Sequence, residues 1–540
     1  MELNYASVIE QMADRLTTSP CLFYGDTAIS WQQYDDHASR IARALHEHGI
    51  KKDSKIGLFM YNCCEYMEGT LAAYKNRAIP INVNYRYVGE ELIYLLDDCE
   101  AEAIIFHSSL GKQIAEIKDK LPRLTLLISV DDGGELIEGA VAYEDIIANT
   151  APMERIERSP DDILMLYTGG TTGMPKGVEY KIGDTLLHMV EMSPVFFGNE
   201  RPETIDELFA QAEQRAKDNA FFVSLPASPL MHTAGIMNSG MYVQVLGGAM
   251  VILQSRSFNP SELWRAVETH RVKHMVVVGD TFVKPMLKTI EEDRENGIEY
   301  DLSSFKLMVS SGVIFSQESK QKLLELADMT ILDVVGATEG GMALQMSSRD
   351  NPPTETASFT AMETTEIFDE NYKMIPRGSG KSGFIGIGST LPQGYYKDPE
   401  KTAKTFKEID GRRWGFTGDM GTIESDGSLK FLGRGSGCIN TGGEKVYPEE
   451  VEEAIKKHPG ILDCLVVGIP DDRFGERVAA VISMKNSKEP LESPAEELMA
   501  FCSSHLARYK LPRTVKVVGK VERLPNGKAD YKWAKSCFAE

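Results

Sequence analysis

Four short apolar runs, separated by helical patterns, constrain the fold of this chain more than any other feature. The runs lie at 250–253, 275–278, 307–310 and 331–335. The stretches between them, at 261–271, 282–294 and 317–329, have the apolar spacing of helices. Strands that alternate with helices in this way form parallel sheets, because each crossover helix returns the chain to the same edge. The pattern therefore predicts an α/β fold.

Loops with glycine follow three of these strands. They read Gly279-Asp280, Ser311-Gly312 and Gly336-Ala337-Thr338-Glu339. Because ligands of parallel sheets bind at the carboxyl ends of the strands, we expect these loops to form a common site. The region 1–110 also has an α/β pattern, with strands at 56–60 and 103–106, a helix at 32–48 and a polar connection at 82–87.

Length, charge and cysteine spacing limit the class of protein. At 540 residues the chain is long enough for several domains, and its net charge of −22 argues against general binding to nucleic acids or anionic membranes. The 8 cysteines include no CxxC pair, so neither a zinc site nor a disulfide framework is indicated. We expect a cytoplasmic protein with free thiols, because neither a signal peptide nor an apolar run of about 20 residues is evident.

One stretch consists almost entirely of glycine and hydroxyl residues. Residues 166–177 read Leu-Tyr-Thr-Gly-Gly-Thr-Thr-Gly-Met-Pro-Lys-Gly. Glycine lets backbone amides approach an anion closely, threonine hydroxyls add donors, and Lys176 adds a positive charge. It is not a Walker loop, because Pro175 precedes the lysine and Gly177 follows it. The stretch predicts a polyphosphate site; the alternative is a plain surface turn.

This stretch resembles the phosphate-binding signature of the adenylate-forming superfamily, which includes acyl-CoA synthetases, peptide-synthetase adenylation domains and beetle luciferases. Five further segments match that superfamily in order, and they lie at 229–232, 336–339, 415–419, 433–434 and 524–528. They read Pro-Leu-Met-His, Gly-Ala-Thr-Glu, Gly-Phe-Thr-Gly-Asp, Gly-Arg and Leu-Pro-Asn-Gly-Lys. Each alone has a structural interpretation, as a cap, a turn or a solvated tail. Their order makes the resemblance specific.

The resemblance implies two domains and a two-step reaction. A large N-terminal α/β domain with mostly parallel sheets, at 1–434, would hold the ATP and acyl sites. A small mobile C-terminal α+β lid domain, at 435–540, would carry a catalytic lysine and the CoA face. A carboxylate would attack the α-phosphate of ATP to give an acyl-adenylate and pyrophosphate, and CoA would then take the acyl group. Because two anions meet in the first step, cations and donors must neutralise the developing charge.

The resemblance also assigns catalytic and phosphate-binding roles. The β- and γ-phosphates would bind at Thr168, Gly169, Gly170, Thr171, Thr172, Gly173 and Lys176. Glu339 would bind Mg²⁺, a hard ion that prefers oxygen ligands, and Thr338 would donate to the α-phosphate. Lys528 would bridge the carboxylate and the α-phosphate when the lid closes, and His232 completes the predicted catalytic set.

The nucleoside would be held by residues from several segments. Asp419 would accept both ribose hydroxyls, and Arg434 would support that contact. The other predicted ATP-site residues are Gly312 and Asp333, at the edge of adenine, with Gly336 and Ala337.

The expected substrate is a carboxylic acid with an apolar body. Residues 232–242 and 276–280 are expected to line the acyl pocket, and they are mostly apolar and partly methionine, which adapts to varied shapes. The predicted pocket residues are His232, Ile236, Met237, Val278 and Gly279. The pattern does not distinguish a medium-chain, long-chain, aromatic or steroid acid.

A glycine pair marks the predicted CoA strip at 439–445, which reads Ile-Asn-Thr-Gly-Gly-Glu-Lys. Paired glycines allow a thin arm to approach the acyl-adenylate after the small domain rotates. The predicted hinge and CoA residues are Ser436, Gly442, Gly443 and Lys445. The alternative is a β-turn needed only for folding.

Three departures from the usual family pattern indicate which branch of the superfamily this chain resembles. Val335 replaces an aromatic residue that often stacks on adenine, and Ser436 replaces a common Asp or Lys hinge. An acidic insertion at 191–220 is predicted to form a surface helix that covers nothing catalytic, the alternative being a lid or partner surface. With the run at 439–452, these features resemble the bacterial acyl-CoA synthetases of fatty acids and sterol side chains.

An acyl-CoA synthetase that uses ATP, Mg²⁺ and CoA is therefore the predicted activity, with a homodimer as a possible assembly. An amino-acid-activating domain is disfavoured, because 229–240 contains no acid to pair an α-amino group. A non-catalytic relative that binds ATP or acyl groups would be expected to lack Lys528, which is present. An adenylating enzyme with another acceptor, light emission included, is the remaining alternative.

Overall fold

The computed structural model describes residues 2–169, 174–311, 315–353, 358–434, 439–446, 448–485, 491–522 and 530–539. The strands are β1 (Pro20–Tyr24), β2 (Thr27–Ser30), β3 (Lys55–Phe59), β4 (Ile79–Asn82), β5 (Ala101–His107), β6 (Leu126–Val130), β7 (Ala140–Ala142), β8 (Ile163–Gly169), β9 (Pro175–Lys181), β10 (Val223–Pro226), β11 (Ala249–Ile252), β12 (His274–Val277), β13 (Leu307–Ser311), β14 (Thr330–Ala337), β15 (Gly340–Ser347), β16 (Ser358–Ala361), β17 (Thr365–Phe368), β18 (Met374–Ile375), β19 (Gly383–Ile387), β20 (Gly394–Tyr395), β21 (Phe406–Ile409), β22 (Arg412–Gly415), β23 (Asp419–Ile423), β24 (Ser428–Arg434), β25 (Ile439–Thr441), β26 (Glu444–Val446), β27 (Ile461–Asp471), β28 (Gly475–Met484) and β29 (Thr514–Val518).

The α-helices are α1 (Tyr5–Leu16), α2 (Trp31–Glu47), α3 (Cys64–Lys75), α4 (Gly89–Asp98), α5 (Gly111–Ile117), α6 (Tyr143–Asn149), α7 (Ile182–Phe197), α8 (Ile205–Lys217), α9 (Thr233–Gly235), α10 (Tyr242–Val245), α11 (Pro260–Thr269), α12 (Gly279–Glu295), α13 (Gln317–Leu326), α14 (Pro399–Thr405), α15 (Pro448–Lys456), α16 (Pro494–Cys502) and α17 (Tyr531–Ser536). A π-helix, Ile236–Met241, joins α9 to α10. None of the helices in the described ranges is long and apolar enough to cross a membrane.

Six parallel strands lie side by side toward one end of the largest sheet, in the order β1-β11-β10-β12-β13-β14. The helices α11, α12 and α13 connect β11 to β14 through β12 and β13, as the apolar pattern predicts. Crossover helices cover such strands on both faces, which is why β11 and β12 are apolar or buried at every position. The predicted α/β fold class is confirmed, with element ends shifted by up to a few residues.

The largest sheet continues beyond β14 through antiparallel strands, beginning with β15. A second sheet, β4-β3-β5-β6-β7, is parallel throughout, and a third is the antiparallel set β20-β9-β8. The largest apolar core joins the first two sheets: Leu22 of β1 and Leu58 of β3 pack in it with Ile9, Ile41 and Leu71 of α1, α2 and α3.

Residues 439–539 contribute a separate five-stranded sheet. Its order is β26-β25-β28-β27, and β29 pairs with β28 in parallel. The predicted helix at Pro448 is present as α15, and Val451 and Ile455 pack in a core with Leu498 of α16. This part of the chain is therefore an α+β unit with its own core, as predicted.

Residues 191–220 form the end of α7 and all of α8, which differs from the single surface helix expected. The predicted cap is present, because Thr204 Oγ1 accepts a hydrogen bond from the Glu207 amide at 3.2 Å. Leu208 of α8 is buried in the main core, so α8 is firmly attached. Phe196, at the end of α7, packs against a buried cluster that includes Val276 of β12, so this part of the insertion reaches the region of the predicted acyl pocket.

The C-terminal sheet unit docks on α4 and the loop before it. Lys510 Nζ donates to Glu91 Oε1 at 2.8 Å, and both side chains are buried. Lys457 Nζ lies 2.7 Å from Glu90 Oε2 in an exposed pair across the same interface. A buried ion pair needs good geometry to offset its desolvation, so the Lys510–Glu91 contact favours one orientation of the two units.

Candidate active site

The strands β12, β13 and β14 end side by side, and predicted site residues lie at this edge. Gly279 begins α12 after one residue, Val278, that follows β12; its φ is +48°, and its amide donates to Ser310 Oγ at 3.0 Å. Gly336 and Ala337 close β14, where they pair with the first residues of β15. The structure therefore brings the predicted loops at 279–280 and 336–339 to one edge of the sheet.

Two tyrosines from the third sheet hold the turn that carries Thr338 and Glu339. The Tyr395 hydroxyl donates to Glu339 Oε1 at 2.6 Å, and Glu339 is only 8% exposed. The Tyr180 hydroxyl donates to the Thr338 carbonyl at 2.6 Å. Burial, followed by the charge of Glu339, raises the pKa of Tyr180, so this hydroxyl stays protonated as a donor.

The environment of Glu339 suits a magnesium ion. In the described ranges, no group of three or more His, Cys, Asp or Glu side chains converges to hold a metal ion on its own. Mg²⁺ commonly binds through one or two carboxylates, with phosphate oxygens and water completing its shell. A buried, oriented carboxylate such as Glu339 fits that requirement beside a bound polyphosphate.

The predicted phosphate loop connects two antiparallel strands. Thr168 and Gly169 end β8, and Lys176 lies opposite Thr168 on β9. Lys176 Nζ forms an ion pair with Asp398, whose side chain also caps α14. That pairing lowers the pKa of Asp398 and places a carboxylate beside the lysine that is predicted to face phosphate.

Asp419 lies at the start of β23, opposite Arg434 on β24. It is 3% exposed, and one carboxylate oxygen accepts a hydrogen bond from Thr417 Oγ1 at 2.5 Å. The strand pairing therefore puts the backbones of the two predicted ribose residues next to each other, while the Arg434 side chain lies outside the described part of the chain.

Asp333 is paired inside the protein. Lys320 Nζ of α13 donates to Asp333 Oδ2 at 2.6 Å and to Gln345 Oε1 at 2.5 Å. Burial raises the pKa of Asp333, and the attraction of Lys320 opposes that change. This predicted adenine-edge residue thus has a neutralising partner that the sequence did not indicate.

His232 lies at the junction of the two units. Its Nε2 is 3.1 Å from Glu444 Oε1 on β26, and Arg86 donates to the same oxygen at 2.6 Å. Burial alone would raise the pKa of Glu444, but attraction to His232 and Arg86 outweighs it and lowers the pKa to about 2. A carboxylate of the small unit is therefore held ionised between two side chains of the large one.

The tip of the β25–β26 hairpin reaches the predicted acyl pocket. Gly442 and Gly443 form the turn, with φ of +61° and +86°. A Cβ atom at Gly443 would lie 3.0 Å from Val278 Cγ1, which is tighter than an ordinary contact. Only glycine gives both this backbone conformation and this approach, so the predicted strip and the predicted pocket meet here.

The other predicted pocket residues, Ile236 and Met237, lie in the π-helix after His232 and are buried. Together with Met241 and Tyr66 they line a small internal cavity. A π-helix turn is rare and is frequently found at functional sites.

Sequence reasoning missed Asn82, which links two segments of the site. Its Nδ2 donates to the carbonyls of Tyr167 and Met231 at 2.9 and 2.7 Å, and its Oδ1 accepts from the Tyr167 amide at 2.8 Å. The sequence did contain a signal for Asn82: it is a polar residue at the end of an apolar strand, and it begins the polar connection at 82–87. Tyr180, Tyr395 and Asp398 left no such signal, because their roles depend on pairing between sheets.

Several predicted residues lie outside the part of the chain that the structure describes. They are Gly170, Thr171, Thr172, Gly173, Gly312, Ser436 and Lys528. The Lys445 side chain is also outside it, although its backbone pairs within the hairpin. The roles of these residues stay predictions.

Comparison with known families identifies both parts of the chain. The AMP-binding enzyme family matches residues 9–396, and the AMP-binding enzyme C-terminal domain matches residues 450–528. These ranges correspond to the large sheets and to the separate C-terminal sheet.

Similar proteins cover nearly the whole chain. A medium/long-chain-fatty-acid–CoA/3-oxocholest-4-en-26-oate–CoA ligase of Mycolicibacterium smegmatis is 36% identical, over 100% of this chain and 97% of its own length. A 3-oxocholest-4-en-26-oate–CoA ligase of Rhodococcus rhodochrous is 36% identical, over 99% of this chain and 96% of its own. The amide bond synthetase McbA of Marinactinospora thermotolerans has the same fold, with a TM-score of 0.81 at 22% identity and 100% coverage of both chains.

The fold and the site define an enzyme in which a hairpin of a small α+β unit reaches into the site of a large α/β unit. The chain belongs to the AMP-binding enzyme family, and within it to the acyl-CoA synthetases, whose substrates are ATP and CoA and which use Mg²⁺. The predicted superfamily and class of activity are confirmed.

Proposed function

We propose that this protein is an acid–CoA ligase that converts ATP, CoA and an apolar carboxylic acid to acyl-CoA, AMP and pyrophosphate through an acyl-adenylate. The observation that carries the proposal is the contact of the β25–β26 hairpin with His232 and Val278. A thin arm of the small unit thereby reaches the pocket in which an activated acyl group would lie. An enzyme with no second substrate to deliver has no need of such an arm.

In the adenylation step the chain's own residues hold two anions together. Lys176 and the loop at 168–176 hold the β- and γ-phosphates, Thr338 donates to the α-phosphate, and Asp419 accepts the ribose hydroxyls. Glu339 would hold Mg²⁺, whose positive charge would offset the phosphate charge. Lys528 then bridges the carboxylate and the α-phosphate, which neutralises charge as the bond forms.

In the thioester step the small unit presents its other face. Gly442 and Gly443 leave room for the thiol-bearing arm of CoA, while Glu444 fixes the hairpin against His232 and Arg86. Ser436 acts as the hinge, and Lys445 contributes to the CoA face. The boundary between the large and the small domain lies at residues 434 and 435, between the last strand of the large sheet and β25.

An apolar acid is the proposed substrate. The predicted pocket side chains Ile236, Met237 and Val278 carry no charge, so a buried polar body would lose hydration without compensation. The similar proteins act, by their names, on fatty acids and on a steroid acid. We therefore place fatty and steroid acids first, with aromatic acids next, and we propose a cytoplasmic enzyme that can form a homodimer.

The test separates the two half-reactions. Lys528→Ala is expected to abolish pyrophosphate release from acid plus ATP, yet to leave thioester formation from supplied acyl-adenylate plus CoA largely intact. Lys532→Ala, an exposed lysine in α17, is the matched control and should keep both steps. A screen of fatty, aromatic and steroid acids for pyrophosphate release, with and without CoA, identifies the acid.

Two outcomes would contradict the proposal. Equal loss of both half-reactions in Lys528→Ala would mean that the lysine does not serve the first step alone. Adenylate formation that never yields a CoA thioester with any acid would assign the enzyme another acceptor.

A further inference from the structure

Three polar side chains form a buried, hydrogen-bonded group against the largest sheet, and a fourth, Tyr242, shares the aromatic neighbour Phe197 with one of them. Ser224 of β10 lies with its Oγ 2.7 Å from His274 Nδ1 of β12 and 2.5 Å from Ser239 Oγ of the π-helix. Tyr242 follows the π-helix at the start of α10. The exposed fractions of the four residues are 0–4%, so water does not satisfy their polar atoms.

Two atoms of this group have no hydrogen-bond partner among the described residues: His274 Nε2 and the Tyr242 hydroxyl. The same aromatic ring covers both side chains, because the Phe197 centroid lies 5.0 Å from that of His274 and 5.2 Å from that of Tyr242. An unsatisfied buried donor or acceptor destabilises the folded state, so a group that served packing alone would favour apolar side chains here.

Strand geometry places this group at the inner end of the predicted acyl pocket. His274 and Val276 are two residues apart on β12, so their side chains point to the same face of the sheet, about 7 Å apart. Val276 packs with Ala234 and Phe196, which is next to Phe197. His274 begins β12, so it lies one side-chain row farther from the carboxyl edge than Val276.

The two unsatisfied groups are both neutral. Burial lowers the pKa of His274 to about 3, and burial raises the pKa of Tyr242. A neutral imidazole carries one donor and one acceptor nitrogen, and a phenol hydroxyl both donates and accepts. Neutral groups of this kind match an uncharged oxygen, whereas a charged ligand group would lie unpaired in an apolar site.

We propose that His274 Nε2 and the Tyr242 hydroxyl bind an uncharged oxygen, a ketone or a hydroxyl, at the end of the acid's apolar body that is farthest from its carboxylate. This inference deepens the proposed function and rests on it. The favoured substrates are apolar acids oxygenated at the far end. Phe196 and Phe197 are half-buried in the last turn of α7, directly before Gly198.

The test uses pairs of acids that differ only in the distal oxygen. One pair is a steroid acid with a ring ketone and the same acid without it; the other is a long-chain fatty acid and its ω-hydroxy analogue. Wild type is expected to show kcat/KM for acyl-CoA formation about tenfold or more higher for the oxygenated acid of at least one pair, because a site built for a polar group disfavours the analogue that lacks it.

Tyr242→Phe is expected to lower that preference about tenfold, with the larger change in kcat/KM for the oxygenated acid. Its melting temperature should equal or exceed that of wild type, because the hydroxyl removed has no partner among the described residues. His274→Asn keeps a polar atom where Nδ1 meets Ser224 but lacks Nε2, so it should lower the preference in the same way.

Tyr66→Phe is the matched control. Its hydroxyl is also buried and without a partner in the described part of the chain, but Tyr66 lies on α3 and lines the cavity beside Met237. This variant should keep the wild-type preference.

Two results would overturn the inference: equal kcat/KM within both pairs for wild type, or an unchanged preference in Tyr242→Phe. That variant decides the matter even if His274→Asn does not fold. If no acid of either kind yields acyl-CoA, the proposed function itself fails; if plain and oxygenated acids react equally, only the distal-oxygen site fails.

Discussion

Glu339 is a buried carboxylate that accepts a hydrogen bond from the Tyr395 hydroxyl, so a glutamine at this position removes the charge and keeps the shape of the side chain. Glu339→Gln is expected to reduce pyrophosphate release about a hundredfold, most at limiting Mg²⁺, because the charge on the metal site is lost. The melting temperature should stay near that of wild type, since an amide oxygen still accepts from Tyr395.

Tyr395→Phe is a control for that prediction and should have a smaller effect on pyrophosphate release. It leaves the carboxylate in place without its orienting donor, so the expected loss is about tenfold. Undiminished turnover of Glu339→Gln at limiting Mg²⁺ would show that the ion is bound elsewhere.

Glu444 gives a prediction about pH. A carboxylate with a lowered pKa contributes fully above its ordinary pKa of about 4.3 and loses its contribution as pH falls toward about 2. Between about pH 5 and pH 8 its contacts with His232 and Arg86 should therefore not change through titration of Glu444. We expect Glu444→Gln to slow thioester formation from supplied acyl-adenylate about tenfold or more, because two charge-assisted hydrogen bonds weaken.

The measurement is the single-turnover rate of wild type and Glu444→Gln across that pH range, with the adenylation step of each as an internal reference. The ratio of the two rates should be nearly constant. A ratio that collapses toward one near about pH 5 would mean that the carboxylate titrates close to its ordinary pKa.

At the residue scale the sequence predicted chemical types but not partners. Glu339, Thr338 and Asp419 were singled out because motif spacing carries them, and the structure places each of them in a buried or oriented position. Their partners come from distant segments: 56 positions separate Tyr395 from Glu339, and 358 separate Arg86 from Glu444. Local patterns contain no information on such pairs.

The hairpin β25–β26 is the element whose geometry is most easily tested. Gly443→Val would put a branched side chain at φ of +86° and against Val278. We expect the variant to keep the pyrophosphate burst from acid plus ATP and to lose most acyl-CoA formation, measured by rapid quench. The physical reason is that the tip can no longer approach the pocket, while the ATP residues are untouched.

Gly427→Val is a matched control for the backbone part of that effect. Gly427 has the same φ of +86°, in the turn between β23 and β24, and no described atom lies within 4 Å of the position of its Cβ. Strain alone should then lower stability in both variants but spare thioester formation in the control. Normal acyl-CoA yield from Gly443→Val would remove the hairpin from the thioester step.

At the element scale the parallel strands were predictable because each is a short apolar run bounded by helices. Strands β15–β24 were not resolved individually from sequence; β18 and β20 have only two residues each, and pairing between distant segments defines them. The insertion at 191–220 was predicted as a surface helix because most of its residues are polar. Its few buried positions, such as Phe209, decide where it packs.

The contact between the two units can be tested on the whole molecule through Lys510 and Glu91. Lys510→Gln leaves the Glu91 carboxylate without this cation in the docked arrangement, which should slow thioester formation by at least about tenfold, or about 1.4 kcal/mol. Each unit should keep its own melting behaviour, because the pair joins units rather than cores. Supplied acyl-adenylate plus CoA is again the assay.

Lys457→Gln is the control across the same interface. Its pair with Glu90 is exposed, with side-chain exposures of 52% and 61%, so its loss should cost at most about 1 kcal/mol. Equal effects of the two substitutions would mean that long-range charge, and not the buried pair, sets the docking.

At this scale the sequence predicted two units through the order of its motifs, and it predicted that the small one moves. It did not predict which face meets the large one here. That depends on Glu91, Lys510 and Glu444, which are unremarkable charged residues in a chain with 80 acidic and 58 basic ones. Only their burial in the assembled molecule distinguishes them.

The position of the hairpin tip also sets a schedule for the catalytic cycle. Gly443 lies against Val278 at the predicted pocket, so in the proposed cycle an acid that passes this point arrives while the small unit is elsewhere. In that cycle the acid would be bound before the thiol of CoA enters, and acyl-CoA would leave after the hairpin withdraws. Because each such turnover would include two large displacements through solvent, we expect the maximal rate to fall as the viscosity of the medium rises.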